Sequence, residues 1–174
     1  AGALTTYFLA KEGANVVTVE KNIIGFGNTI ADTAALEYQL ESEMSKLEKS
    51  IGRKDATRIY KLCLDSISKI ENINKEFKAP TGFLRQDNIY FTNKFMQRGA
   101  VAKEFDKRKD SGFDAVYIDS HSLVNLNSGI VTKNASAIMN PYSFTQGLFE
   151  YLDTMDNVKI FENTKIDDIK CRID

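Results

Sequence analysis

The first twenty residues place a helix, a glycine and a short strand that ends in an acid in immediate succession. Residues 3–12 are rich in good helix formers, and Gly13 follows them as a C-terminal cap. Residues 16–19 form a β-branched run typical of a strand buried in a parallel sheet, and Glu20 comes directly after it. With Gly2 at the start of the helix, this order matches half of a dinucleotide-binding βαβ unit. An α/β fold is therefore predicted.

The spacing within this half-motif fits the chemistry of such a unit. In a dinucleotide site the helix N-terminus binds the pyrophosphate, and the acid accepts hydrogen bonds from the ribose hydroxyls. Gly2 and Glu20 are 18 residues apart, close to the ~20 expected for the acid. The first strand and the first two glycines of the motif are not in the chain, which begins at Ala1 without a Met. We expect the 174 residues to be a fragment of a longer protein.

The middle of the chain changes from helical to β patterns. Apolar residues recur every three or four positions over 36–51 and 59–77, which predicts two helices. Residues 83–85 and 89–91 flank a polar turn and predict a β-hairpin. Further elements are predicted as a helix at 93–109 and strands at 115–118 and 130–139.

The last part returns to the opening alternation. Asn140 and Pro141 predict a helix start, with Asn as the N-cap and Pro at the first helical position. Strands are predicted at 158–161 and 165–173. The order is α/β, then α plus antiparallel β, then α/β again, which predicts an α+β antiparallel-sheet domain inserted into an incomplete Rossmann-like domain.

Composition and charge exclude several classes of protein. Lys and Arg total 23 against 24 Asp and Glu, so the chain is not a strongly basic nucleic-acid binder. No apolar run approaches the ~20 residues that span a bilayer, and the opening residues do not predict a signal peptide. Cys63 and Cys171 lie far apart, which predicts neither a disulfide framework nor a zinc site. We expect a cytoplasmic protein that binds a small-molecule substrate.

Most other candidate residues favour a structural role. His121 lies in a polar loop without a second His, and Cys63 falls on the apolar side of a predicted helix. Asp167 and Asp168 are neighbours on a predicted strand, so they point to opposite faces and are not expected to share a metal. The basic stretch 103–109 is interrupted by acids and predicts a solvated helix face.

Two residues of the predicted hairpin are candidates for substrate binding. Arg85 and Tyr90 lie in the predicted antiparallel part of the chain. An Arg side chain pairs with a carboxylate through two parallel hydrogen bonds. Arg85 is therefore a candidate partner of a substrate carboxylate.

The two ends of the chain resemble FAD-dependent oxidoreductases of the D-amino-acid oxidase family, which includes glycine and sarcosine oxidases. Residues 1–13 resemble the helix after the family's glycine motif, and residues 19–21 resemble the end of its second strand. Residues 25–34 resemble the loop beside the flavin. Residues 140–142 and 162–166 resemble the segments where the family returns to its FAD domain. Residues 40–135 match only in pattern.

The resemblance implies FAD as the cofactor and assigns residues to it. Gly2 would be the glycine that allows close helix–strand packing, and Glu20 would bind the adenosine ribose. The remaining assignments are Lys21 beside the ribose, Asn28 and Thr29 near the pyrophosphate, Thr33 and Ala34 on the flavin side, and the backbone of Ile166 at the adenine.

The resemblance also implies a domain organisation and an activity. Residues 1–52 would begin the FAD-binding domain, 53–139 would belong to the substrate domain, and 140–174 would return to the FAD-binding domain. The implied reaction is oxidation of an amine (amino acid-like) or alcohol by hydride transfer to the flavin, with no catalytic residue assignable here. Two alternatives stay open: a nicotinamide-dependent Rossmann enzyme, and a non-catalytic fragment that no longer binds FAD.

Overall fold

The computed structural model describes residues 1–120 and 126–170, so His121 and Cys171 lie outside the described residues. The described elements are, in chain order, α1 (Gly2–Lys11), β1 (Val16–Val19), a 3-10 helix (Asn28–Ala31), β2 (Ala35–Glu37), α2 (Met44–Ile51), α3 (Arg53–Glu76), β3 (Leu84–Thr92), a 3-10 helix (Phe95–Gln97), α4 (Arg98–Asp110), β4 (Ala115–Ile118), β5 (Ser128–Ile138), α5 (Pro141–Asp153) and β6 (Val158–Phe161). No helix among these is long and apolar enough to cross a membrane.

The chain divides into two compact units, each assembled from segments that are distant in sequence. The first unit comprises Ala1–Ala34, Ile73–Gly82 and the described part of Met139–Asp174. The second unit comprises Ala35–Asn72 and the described part of Phe83–Ile138. A chain that leaves one unit, builds a second and then returns is the organisation expected of an inserted domain. The assignment of FAD and substrate roles to residue ranges stays a prediction.

The first unit contains a parallel strand pair with helices before each strand. β1 pairs with β6 in parallel, with Val16 opposite Val158 and Val19 opposite Phe161. Parallel strands need a crossover connection, and α5 precedes β6 as α1 precedes β1. This arrangement confirms the α/β prediction for the two ends of the chain. Val17 is 62% exposed, so β1 is not buried on both of its faces by the described residues.

Local signals set the ends of both helices in this unit. Gly13 adopts a φ of +84° after α1, the left-handed conformation that favours glycine at a helix C-terminus. The Nδ2 atom of Asn157 donates to the carbonyl of Ala10 at 3.0 Å and satisfies one of the last carbonyls of α1. At α5 the Oδ1 atom of Asn140 accepts from the N–H of Ser143 at 3.0 Å, which confirms the predicted cap.

The second unit is an antiparallel sheet packed against helices. β5 lies at the centre, with β3 along one side and with β2 and β4 along the other. The main core packs aromatic and small side chains together; its buried members are Tyr38, Met44, Tyr60, Ile67, Phe113, Ala135 and Ala137. Cys63 is partly buried against this cluster, as its position on the helix predicts. The sheet confirms the antiparallel middle predicted from the sequence.

The predicted hairpin is wrong, because residues 84–92 form one continuous strand. The register shifts at its polar middle: Gln86 lies opposite Ser136 and Asn88 opposite Thr132, so β5 carries the extra residues opposite Asp87. The carboxylate of Asp87 accepts the backbone N–H of Asn134 on the bulged strand at 2.9 Å. Polar residues that typically make a turn therefore lie within a strand here, opposite a bulge in its partner.

Two other predicted elements also differ. The helix predicted from residue 36 begins only at Met44, because Leu36 belongs to β2 and lies opposite Ala137. The strand predicted for 165–173 is absent from its described part, since residues 165–170 form no strand and are exposed. Without a pairing partner in the first unit, that apolar alternation does not form a strand.

The predicted solvated face of α4 is wrong at two positions. Arg108 is 0% exposed and Glu104 1%, and they pair at 2.9 Å one helical turn apart. The guanidinium also donates to the hydroxyl of Tyr38 at 2.8 Å and to the side-chain oxygen of Gln39 at 3.1 Å. Its central carbon lies 5.1 to 5.8 Å from the ring centres of Tyr38, Tyr60 and Tyr90.

Glu104 also caps the N-terminus of a second helix, α2. Its carboxylate oxygens accept the backbone N–H groups of Met44 at 2.9 Å and Ser45 at 2.8 Å, at the start of α2. Those N–H groups have no partner within the helix, and a carboxylate there also faces the positive end of the helix dipole. The ion pair of Glu104 and Arg108 thus joins α4, α2 and the residues after β2 in one buried network.

Candidate functional site

The start of α1 and the end of β1 lie at the same edge of the first unit. The hydroxyls of Thr6 and Thr18 are 2.7 Å apart, which fixes the helix against the strand. A short turn joins the two elements, so they run in opposite directions. Gly2 lies about 6 Å before Thr6 along the helix, and Glu20 about 7 Å beyond Thr18 along the strand. The two candidate residues are therefore displaced toward the same edge.

The N-terminus of α1 suits a bound anion. No side chain caps it and no acid lies in its first turn. The N–H of Thr5 is the first to bond back, to the carbonyl of Ala1 at 3.1 Å, so the N–H groups of residues 2–4 have no partner within the helix. Unpartnered N–H groups at a helix N-terminus are donors that a phosphate can accept.

Glu20 presents a carboxylate at the carboxyl end of β1. Its backbone N–H donates to the carbonyl of Phe161 at 2.8 Å and so extends the pairing of β1 with β6. Its Oε1 atom accepts the backbone N–H of Asn22 at 2.8 Å, which fixes the side chain. The other oxygen, Oε2, accepts no hydrogen bond from the described residues. A half-buried carboxylate with one fixed and one available oxygen suits a ribose hydroxyl.

The other predicted cofactor residues lie in the loop that follows and near the C-terminus. Lys21, Asn28 and Thr33 are exposed, and Thr29 is half-buried in the first 3-10 helix. Ala34 adopts a φ of +66° with its N–H donated to the carboxylate of Asp32 at 3.1 Å. Ile166 is 54% exposed. The structure brings Gly2 and Glu20 to one edge, and the roles of the others stay predictions.

Arg85 has all three of its nitrogens engaged within the second unit. It donates to the carboxylate of Glu71 at 2.8 Å, to the carbonyl of Asn134 at 3.0 Å and to the hydroxyl of Ser68 at 2.7 Å. A substrate carboxylate at this guanidinium would have to replace some of these bonds. Its substrate role stays a prediction.

Tyr90 is also engaged within the second unit. Its hydroxyl donates to Glu43 at 3.1 Å. Burial, followed by the nearby Glu43 carboxylate, raises the pKa of Tyr90 to about 12. The hydroxyl therefore stays protonated at neutral pH, and its substrate role also stays a prediction.

Sequence reasoning missed the residues that fix the loop after Glu20. The N–H of Ile24 donates to Oε1 of Glu162 at 2.7 Å, and the carbonyl of Ile24 accepts from Nε2 of Gln146 at 2.6 Å. Glu162 is 138 positions from Ile24, so no local pattern reveals the contact.

A second missed cluster lies at the other end of α1. Glu76 accepts the hydroxyl of Tyr7 at 2.6 Å and pairs with Lys11 at 2.8 Å. Lys11 also donates to the hydroxyl of Tyr151 at 3.0 Å. The hydrogen bond from Lys11, followed by that from Tyr7, lowers the pKa of Glu76. The cluster joins α1, the end of α3 and α5 within the first unit.

The lowered pKa of Glu76 predicts an acid-dependent loss of stability. A carboxyl group whose pKa is lower in the folded state stabilises the fold above its unfolded pKa, ~4.3, and loses that contribution as pH falls through the folded value. We expect Glu76→Gln to flatten the fall in unfolding free energy below about pH 4.3, and to cost about 1 kcal/mol or less at pH 7 because the pair is partly exposed. Urea unfolding at several pH values measures this. Glu12→Gln, at an exposed position, should keep the wild-type slope.

Metal chemistry has no support among the described residues. No group of three side chains in the described ranges is arranged to hold a metal ion. Asp167 pairs with Lys165 at 2.7 Å and Asp168 lies 3.8 Å from Lys170, and all four side chains are largely exposed. The two neighbouring acids are thus engaged in surface ion pairs.

Several known proteins are similar to this chain in sequence pattern or in fold. The model of a family described as FAD dependent oxidoreductase (DAO) matches residues 1–174. No curated protein matches the chain by sequence. The structure is similar to glycine oxidase from Geobacillus kaustophilus, with a TM-score of 0.72 and 17% identity, covering 97% of this chain and 45% of that one.

Other solved structures share the fold at similarly low identity. Glycine oxidase from Bacillus cereus ATCC 14579 has a TM-score of 0.67 and 12% identity, covering 98% of this chain and 45% of that one. Dithionite-reduced L-alpha-glycerophosphate oxidase from Mycoplasma pneumoniae, with FAD bound, has a TM-score of 0.66 and 11% identity, covering 95% of this chain and 44% of that one. The chain thus spans less than half the length of these structures.

Proposed function

The chain belongs to the family of FAD dependent oxidoreductases, and we propose that it carries the adenosine-binding half of an FAD site. A protein built on it would oxidise an amine, such as an amino acid, or an alcohol by hydride transfer to the flavin. One observation carries the proposal: the Thr6–Thr18 contact at 2.7 Å brings the open start of α1 and the acid after β1 to one edge. A dinucleotide site requires both parts together: a helix N-terminus that binds the pyrophosphate and an acid that binds the ribose hydroxyls.

The residues present fit the adenosine half of FAD. The N–H groups at the start of α1 would face phosphate oxygens. Glu20 would accept hydrogen bonds from the ribose through its available oxygen. Lys21, Asn28, Thr29 and Ile166 are proposed around this half, and Thr33 and Ala34 toward the flavin. When bound, the flavin supplies the redox chemistry, and the protein binds and orients it.

The names of the similar structures support the substrate class. They include glycine oxidases, an L-amino acid deaminase from Proteus myxofaciens, an L-proline dehydrogenase from P. horikoshii and a glycerophosphate oxidase. Three of these names specify amino acids and one an alcohol phosphate. Oxidation of an amine or alcohol carbon is common to all of them. The match of an FAD family over the whole chain favours FAD over a nicotinamide cofactor.

Binding of nucleotides to the 174-residue chain tests the proposal. We expect calorimetry to detect FAD and ADP, which share the adenosine and its phosphates, and to detect FMN less well. Glu20→Gln should lower the affinity for FAD and for ADP about 10- to 100-fold, because a hydrogen bond to a charged group contributes about 1.5–3 kcal/mol. The same change should leave FMN affinity unaltered. Glu12→Gln, an exposed acid at the far end of α1, should change none of the three.

Two results would contradict the proposal. A wild-type chain that binds neither FAD nor ADP at millimolar concentration would favour the non-catalytic alternative. Binding that is equally tight in wild type and Glu20→Gln would place the nucleotide elsewhere on the chain.

A further inference from the structure

The peptide groups on both sides of Ile24 are held by side chains from distant parts of the first unit. Its N–H donates to Oε1 of Glu162 at 2.7 Å, directly after β6, and its carbonyl accepts from Gln146 of α5 at 2.6 Å. The Ile24 side chain is 7% exposed and therefore packs into the unit. We call Glu162 and Gln146 the Ile24 clamp.

Backbone hydrogen bonds align the segment between Glu20 and the clamp. The N–H of Thr164 donates to the carbonyl of Glu20 at 2.9 Å, and the N–H of Asn163 donates to the carbonyl of Asn22 at 2.8 Å. Asn163 adopts a φ of +50°, a left-handed conformation in which Asn is enriched. The residues after β6 thus run beside the residues after β1. Glu162 is the side chain that extends this pairing to Ile24.

The clamp lies where the loop changes direction toward the residues proposed for the pyrophosphate. Gly25 follows Ile24 with a φ of +81°, and a Cβ atom there would lie 2.9 Å from Cδ2 of the Tyr142 ring. The loop therefore turns sharply against α5 immediately after the clamp. Residues 27–29 follow within four positions. Their placement depends on the direction in which the chain leaves Ile24.

We infer that Glu162 and Gln146 are positioning residues for the cofactor, acting through the peptide of Ile24 on the loop from Glu20 to Thr29. The inference rests on the proposed function, because it assumes that this loop contacts FAD. Neither residue needs to contact the cofactor. A carboxylate is suited to this task, because its bond to a backbone N–H is stronger than one between neutral groups. Loss of the carboxylate leaves the N–H of Ile24 without this acceptor, at the point where the loop turns into Gly25.

Two variants of Glu162 distinguish the role of its hydrogen-bond acceptor from the role of its negative charge. Glu162→Ala removes the acceptor, whereas Glu162→Gln keeps a side-chain oxygen for the N–H of Ile24. In the labelled 174-residue chain we expect Glu162→Ala to raise the hydrogen-exchange rate of the Ile24 amide at least 10-fold and to weaken ADP about 10-fold. Glu162→Gln should recover most of both. Glu150→Ala, an exposed acid on α5, is the matched control and should change neither.

The outcomes distinguish this inference from the proposed function. If the wild-type chain binds ADP and Glu162→Ala frees the Ile24 amide without weakening ADP, the positioning role is wrong and the adenosine site stands. An Ile24 amide that exchanges as fast in wild type as in Glu162→Ala also overturns the role. If wild type binds no ADP, the proposed function fails and the inference fails with it.

Discussion

Arg108→Met should lower the unfolding free energy of the second unit by about 3–5 kcal/mol, the range measured when one partner of a buried ion pair is removed. The variant leaves Glu104 buried at 1% exposure without its cation. It also removes the donors to Tyr38 and Gln39. Methionine matches the length of the arginine stem, so a cavity contributes little to the loss. Urea unfolding followed by far-UV circular dichroism, with hydrogen exchange of β5 amides to report on this unit, measures the effect.

The neighbouring lysine provides the matched control. Lys107 pairs with Glu48 at 2.9 Å but is 38% exposed, so Lys107→Met should cost about 1 kcal/mol or less. The double variant Glu104→Gln with Arg108→Met removes the uncompensated charge while keeping an acceptor for the start of α2. It should be more stable than Arg108→Met alone, because the two sites are coupled. An Arg108→Met variant no less stable than Lys107→Met would show that the buried pair contributes nothing specific.

This pair also marks the limit of what the sequence predicts. Lys103, Lys107, Arg108 and Lys109 look alike as a charged helix face, with acids between them. Which of them is buried depends on where Tyr38 and Tyr60 pack against the helix. These two residues lie 70 and 48 positions before Arg108 in the sequence. A single helix carries no information about a partner so distant. Burial of a charge is therefore a tertiary property.

Local sequence signals, by contrast, predict a structural feature correctly where residues close in sequence make the contact that determines it. Gly13 ends α1, and Asn140 caps α5 through a residue three positions away. Leu36 and the hairpin show the opposite case. Leu36 has a helical spacing to the residues after it, but pairing with Ala137 of β5 decides its conformation. The half-motif from Gly2 to Glu20 was readable because helix, turn and strand are consecutive, whereas the Ile24 clamp joins residues 138 apart.

Gly147→Ala should destabilise the first unit by about 1–2 kcal/mol, although alanine is the better helix former. A Cβ atom at residue 147 would lie 2.2 Å from Cβ of Ala79 and 2.9 Å from Cδ2 of Phe77. Carbon atoms pack at about 3.5–4.0 Å, so α5 or the segment after α3 must move, and overpacking of this kind costs ~1–3 kcal/mol or more. The gain in helix propensity, ~1 kcal/mol, offsets only part of this. Thermal unfolding by circular dichroism gives the difference.

Two further variants decide whether the contact itself is responsible. Gly99→Ala places the same methyl group in α4, where no atom of the described residues lies within 4 Å, and should be neutral or stabilising by up to about 1 kcal/mol. Ala79→Gly combined with Gly147→Ala removes the 2.2 Å contact and should recover about half of the loss, because Phe77 still opposes the new methyl group. Gln146 precedes Gly147 on α5, so the displaced helix should also weaken the hydrogen bond from Gln146 to the carbonyl of Ile24. A Gly147→Ala chain as stable as Gly99→Ala would mean that α5 does not pack this closely against the segment after α3.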